Sequence, residues 1–172
     1  MTQIAVIGSG ACEEGSELAR LAEEVGERLA KEDAVLVCGG LGGVMEAASR
    51  GAARAGGMVI GILPEDSPAR ANPYCTQVIP TGVGEARNLA VVASGEAVIA
   101  VGGEWGTLSE IGHARKIGRT VVALRSWTLS GRDGMEGAPG VIPADSAEEA
   151  VAAALEAAGR GSRPAGTTEA GD

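Results

Sequence analysis

Apolar residues fall along this chain in short continuous runs that alternate with longer amphipathic stretches. Gln3 to Gly8 is one such run and ends in glycine, and Gly15 to Lys31 then sets Leu18, Leu21, Ala22, Val25 and Leu29 at helical spacing. The alternation repeats with a run at Ala34 to Cys38, a helical stretch at Val44 to Ala55, and a third run at Met58 to Leu63 that stops before Pro64. Pro64 to Tyr74 holds three prolines among scattered charges and reads as a surface loop leading to a short strand near Gln77 to Ile79. Beyond it the pattern predicts a helix over Glu85 to Ser94, a strand over Ala97 to Val101, a helix over Thr107 to Ile117 and a strand over Thr120 to Leu124. Arg125 to Gly140 reads as a mobile loop and Ser146 to Ala158 as a last amphipathic helix.

Continuous apolar strands between helices imply a parallel sheet covered on both faces. The expected class is therefore α/β: a doubly wound, mostly parallel, Rossmann-like sheet. Right-handed crossovers then bring every strand-to-helix loop to one sheet edge, where ligands of such folds bind. Residues 1–158 are expected to form one domain. Gly159 to Asp172, with glycine, proline, threonine and charge but no apolar period, is expected to be a disordered tail.

Composition narrows the partners. The 172 residues carry a formal net charge of -9, which disfavours long DNA or RNA as a ligand because such binding needs clustered lysine and arginine. A small phosphorylated molecule stays compatible, since backbone amides and one local arginine can hold it. The three cysteines, Cys12, Cys38 and Cys75, lack CxxC spacing, so neither a disulfide framework nor a structural zinc site is expected. With no signal-peptide pattern and no apolar run of membrane-spanning length, the chain is expected to be cytoplasmic and free of membrane. Phenylalanine is absent and aromatics are few, so the core must rest on Val, Ile, Leu and Ala with close helix-to-sheet packing.

Three of the edge loops are rich in glycine: Gly8, Ser9 and Gly10 after the first strand; Gly39, Gly40, Leu41, Gly42 and Gly43 after the second; Gly102, Gly103, Glu104, Trp105, Gly106 and Thr107 after the fifth. Each is expected to lead into a helix whose first amides carry partial positive charge, a combination suited to phosphate. The loops lack a Walker lysine and a complete GxGxxG, so neither P-loop nor standard dinucleotide motif applies. Arg87 is placed to pair with a phosphate or to be a solvated surface residue. Glu110 has two readings as well: an acid or base facing a bound sugar, or the last member of a T-x-x-E capping box with Thr107. His113 shares its helical face but lacks the companions of a metal site. Trp105 is suited to stacking on a planar base or to covering the sheet end.

The run from Arg87 and Asn88 to Gly103, Gly106, Thr107 and Glu110 resembles the family long described as possible lysine decarboxylases. That family includes the LOG phosphoribohydrolases, molybdenum cofactor carrier proteins and relatives of DprA. The resemblance covers roughly Ile4 to Leu124. It implies that Arg87, the loop glycines and Thr107 are site residues, that Glu110 is catalytic in an enzyme of this kind, and that the chain forms a homodimer or homotetramer. Three positions depart from the LOG pattern: Asn88 replaces a lysine, Gly102 a proline and Glu104 a glycine. Together with Gly39 to Glu46, Asn88 makes the chain more similar to the carrier branch, whose members bind rather than hydrolyse. The expected function is binding of a phosphorylated, nucleotide-like molecule, with no cofactor required and a nucleotide or molybdopterin-type compound as the ligand. The alternative is hydrolysis of a nucleoside 5'-monophosphate to free base and ribose 5-phosphate. Lysine decarboxylation is not expected, because no lysine near these loops has a pyridoxal phosphate context.

Overall fold

The computed structural model describes residues 1–130 and 137–161. Seven strands form one sheet: β1 (Gln3–Gly8), β2 (Val35–Cys38), β3 (Val59–Leu63), β4 (Gln77–Pro80), β5 (Ala97–Val101), β6 (Thr120–Leu124) and β7 (Val141–Ala144). Every pairing is parallel, and the spatial order is β4-β3-β2-β1-β5-β6-β7. The chain thus winds outward from β1 to one edge, returns to the centre, and winds outward again from β5. Five helices cover the sheet: α1 (Glu17–Lys31), α2 (Val44–Arg54), α3 (Asn88–Ser94), α4 (Trp105–Lys116) and α5 (Ala147–Gly161).

The pleat of the strands divides the core in two. Ile4 and Val6 face α1, α2 and α5, whose Ala22, Val25, Leu29, Val44, Ala48 and Ala154 are buried against them. Ala5 and Ile7 face the other way, onto Val91 and Val92 of α3 and Ile111 and Ala114 of α4. Aliphatic side chains make up most of both layers, with buried Cys38 in the first and Trp127 packed against the second. Among the described residues no helix is long and apolar enough to cross a membrane.

The Rossmann-like α/β reading holds, and several local expectations are corrected. β7 was not anticipated: it has only four residues, one of them Pro143, too short for a period and tolerable only because it lies on a sheet edge. The helix expected over Glu85 to Ser94 is a 3-10 turn at Gly84–Arg87 followed by α3. α4 begins at Trp105, two residues before the expected Thr107. α5 runs to Gly161, three residues into the segment expected to be a tail, whose residues 162–172 lie outside the described part, as do 131–136 of the loop expected to be mobile.

Candidate functional site

The topological switch falls between β1 and β5, where the chain's two windings diverge. An open crevice of about 190 Å3 lies there. Gly8, Ser9 and Gly10 line it from β1, Gly39 from β2, Met45 from α2, Arg87 and Asn88 from the turn before α3, and Glu104, Gly106, Thr107 and Glu110 from the loop and helix after β5. All three glycine-rich loops therefore meet at one place.

Two glycines make the close approach possible. A methyl group on Gly8 would overlap the Val101 carbonyl oxygen and crowd Val44, so only glycine lets β1 end between β5 and α2. A methyl on Gly39 would stand 2.5 Å from Arg87 Nη1 and 2.6 Å from Met45 Sδ, so the guanidinium lies where a side chain would otherwise be. The helix after the first loop, expected from Gly15, starts at Glu17, capped by the Ser16 hydroxyl on the Ala19 amide, so six residues separate it from Gly10. The loop's contribution is backbone, and the Ser9 carbonyl accepts from the Val44 amide, tying this loop to the start of α2.

Arg87 is 8 % exposed, and burial pulls its guanidinium below arginine's ordinary pKa, opposed first by the field of Glu110. Its Nη1 donates to Asn88 Oδ1 at 2.7 Å, while Nε is buried with no partner among the described residues. A neutral amide thus steadies the arginine at the position where LOG enzymes place a second cation. The parallel pairing of β4 with β3 carries the chain back to this edge and sets Arg87 there.

Glu110 is 9 % exposed and lines the crevice from the second turn of α4. Burial pushes its carboxyl up to about 7, and the Arg87 charge opposes that rise. The capping-box reading fails, because α4 is capped by Glu104 rather than Thr107, and Glu104 makes no side-chain cap bond. Thr107 is instead inside the first turn, buried and packed on Gly103. Glu104 turns into the crevice, where its carboxylate accepts from the Ser9 hydroxyl at 3.4 Å, linking the first and third loops. Its carbonyl accepts from Trp127 Nε1 at 3.3 Å.

Some candidate residues stand aside from the crevice wall. Gly40 packs on Gly61 and Leu63, Gly43 on the backbone of Ser9 and Gly10, Gly42 close to Gly10, and Gly103 on Thr107. They shape the loops without lining the cavity. Trp105 is 76 % exposed, between the lining residues Glu104 and Gly106 in the chain, its ring 5.2 Å from that of Trp127 and tilted by 41°. His113 lies further along α4, away from the lining, and among the described residues no cluster of metal-ligating side chains occurs. Met45 and Trp127 were missed from sequence. Met45 sits one turn of chain beyond the second glycine loop, a placement readable in principle, whereas Trp127 arrives from beyond β6 and carries no local signal.

A doubly wound parallel sheet with a polar crevice at its switch point defines a Rossmann-like protein. The family model of the SLOG cluster4 family matches residues 1–152, and the chain belongs to that family. A protein of unassigned function from Archaeoglobus fulgidus is 46% identical over 125 residues, covering 73% of this chain and 81% of its own. Among solved structures, the molybdenum cofactor binding protein from Rippkaea orientalis superimposes with a TM-score of 0.79 at 34% identity, over 90% of this chain and 96% of that one. The molybdenum cofactor carrier protein of Chlamydomonas reinhardtii gives 0.78 at 29% identity, over 91% and 98%. DprA from Streptococcus pneumoniae, at 0.65 and 22% identity over 88% and 61%, shares the fold. The expected likeness to the carrier branch is thus found, and likeness to carrier proteins supports a ligand-binding role. Likeness to the LOG enzymes is a looser fit.

Proposed function

We propose that this protein binds a phosphorylated, nucleotide-like small molecule in the crevice between β1 and β5, in the manner of a molybdenum cofactor carrier. The observation that carries the reading is Arg87: a nearly buried guanidinium with an unpartnered Nε, set against glycine backbone at the switch point of the sheet. A buried arginine without a full set of acceptors is incomplete, and a phosphate supplies what it lacks. The Gly8–Gly10 loop and Gly39 let the phosphate approach the backbone closely.

Glu104 fixes the orientation. A carboxylate repels phosphate, so the phosphate belongs at the Arg87 side and the ring of the ligand at the Glu104 side. There the carboxylate offers acceptors to a ring edge bearing N–H and amino donors, as guanine and pterin rings do, with exposed Trp105 next to Glu104 in the chain to stack on the ring. Asn88 and Glu104, two of the three departures from the LOG pattern, then both serve binding. Long nucleic acid does not fit this acidic chain, and assembly into a homodimer or homotetramer is part of the same proposal.

One feature favours the hydrolytic alternative. Glu110 faces the crevice without a hydrogen-bond partner among the described residues, with its carboxyl held protonated close to neutrality. A group of that kind can donate a proton to a departing base nitrogen. Chromatography of the protein with nucleoside 5'-monophosphates separates the two. The binding reading expects no free base at protein concentrations high enough to detect slow turnover. Base release abolished by Glu110→Gln would replace it with a phosphoribohydrolase.

A further inference from the structure

Behind the second glycine loop lies a pair of thiols that the ligand site does not use. Cys38 ends β2 and is wholly buried; Cys75 approaches from the loop before β4 and is half-buried. In the sheet Cys38 is the direct partner of Gly61 on β3, and the space a side chain on Gly61 would take is filled by Cys75 Sγ, 2.7 Å from that position. The two side chains therefore occupy adjacent places on one face of the sheet, in the same packed layer. Polar groups surround the buried one: the Gly40 amide donates to Cys38 Sγ at 3.4 Å, and the Ser49 hydroxyl lies 3.5 Å from it. Asn72 Nδ2 reaches that hydroxyl at 3.4 Å.

We propose that Cys38 and Cys75 are a redox-active dithiol that closes to an intramolecular disulfide when a low-molecular-weight disulfide oxidises the protein. Exposure decides the order of events. Cys75 is the less buried of the two; contact with Cys38 and burial hold its thiol above the ordinary range, so it attacks as the Cys38 thiolate takes up its proton, expelling one thiolate to leave a mixed disulfide. Cys38 then gives up that proton, its thiolate attacks Cys75 Sγ, and the second thiolate leaves. Overall the dithiol loses two protons and two electrons, and the oxidant takes them up to become two thiols. Contact with Cys75, Ser49 and the Gly40 amide lowers the Cys38 thiol to about 7, which suits it to the second step.

The bond would act on the crevice through backbone already in place. Asn72 donates its amide to Gly40 O at 2.8 Å and its side chain to Leu41 O at 3.1 Å, so the segment carrying Cys75 already clasps the second glycine loop. Cys38 directly precedes Gly39, on which the Arg87 guanidinium rests.

The test is a tryptic map of the folded protein after treatment with excess glutathione disulfide and a denaturing alkylating quench. The three cysteines fall in three different tryptic peptides, 1–20, 32–50 and 71–87. Expected is loss of two of the three titratable thiols, and a cross-link joining 32–50 to 71–87. Cys38→Ser should leave the mixed disulfide standing on Cys75, and Cys75→Ser should leave Cys38 unmodified. Three surviving thiols, a cross-link through peptide 1–20, or a wild-type mixed disulfide that never resolves would each overturn the proposal. The wild-type map decides even if a variant fails to fold.

Discussion

Glu110 enters the folded protein at a cost that depends on its proton. Its carboxyl rises from 4.5 to about 7 on folding, mainly through burial. The folded state thus holds the proton more tightly than the unfolded chain. The resulting stabilisation is complete below about pH 4.5 and is lost as pH rises through about 7, a swing of up to about 3 kcal/mol. Glu110→Gln keeps the shape and removes the titration. In urea unfolding at about pH 5 and about pH 8, wild type should lose about 2–3 kcal/mol relative to the variant between the two conditions. A difference that stays constant with pH would contradict the burial of a titrating carboxyl. At this scale the sequence was half legible. Arg87 and Glu110 could be named from motif, but T-x-x-E is also a capping box, and only the start of α4 at Trp105 shows that the cap is not formed. The reach of Glu104 to Ser9 joins residues 95 apart, and nothing local could announce it.

Between elements, the closest packing is of helix on helix. The sequence's wealth of glycine and alanine suggested close helix-to-sheet contact; the tightest contact is where α1 crosses α2. A methyl on Gly26 would overlap the Ala48 carbonyl oxygen, and one on Gly51 would overlap the Glu23 carbonyl oxygen, so the two backbones touch through reciprocal glycines. Gly26→Ala gains about 1 kcal/mol of helix propensity but forces the helices apart. A net loss of up to about 2 kcal/mol, the roughly 1–3 kcal/mol of an overpacked core less that gain, is expected in denaturant unfolding. An unchanged or raised stability would show that the crossing is loose. Strands β5 and β6 were readable to the residue, because continuous buried runs between breakers leave little choice. β7 and the 3-10 turn before α3 were not, being too short to display a period.

Across the whole molecule, alternation of strand and helix sufficed to bring the glycine loops to one edge, since right-handed crossovers allow no other arrangement. What alternation could not supply was the strand order, and with it the switch point between β1 and β5 that makes a crevice out of the meeting of loops. The central claim is that this crevice holds a phosphate on Arg87 and a planar ring beside Glu104. Isothermal titration tests it most directly. The panel pairs guanosine and inosine 5'-monophosphates with their nucleosides and adds molybdenum cofactor released from a purified molybdoenzyme, each measured on wild type and on Arg87→Gln. The account predicts that at least one phosphorylated compound binds, that ligands with the amino-bearing ring are preferred, and that Arg87→Gln weakens binding about 10–100-fold, the loss of charge-assisted hydrogen bonds to the phosphate. Failure of every phosphorylated compound to bind, or binding that Arg87→Gln leaves unchanged, would contradict it.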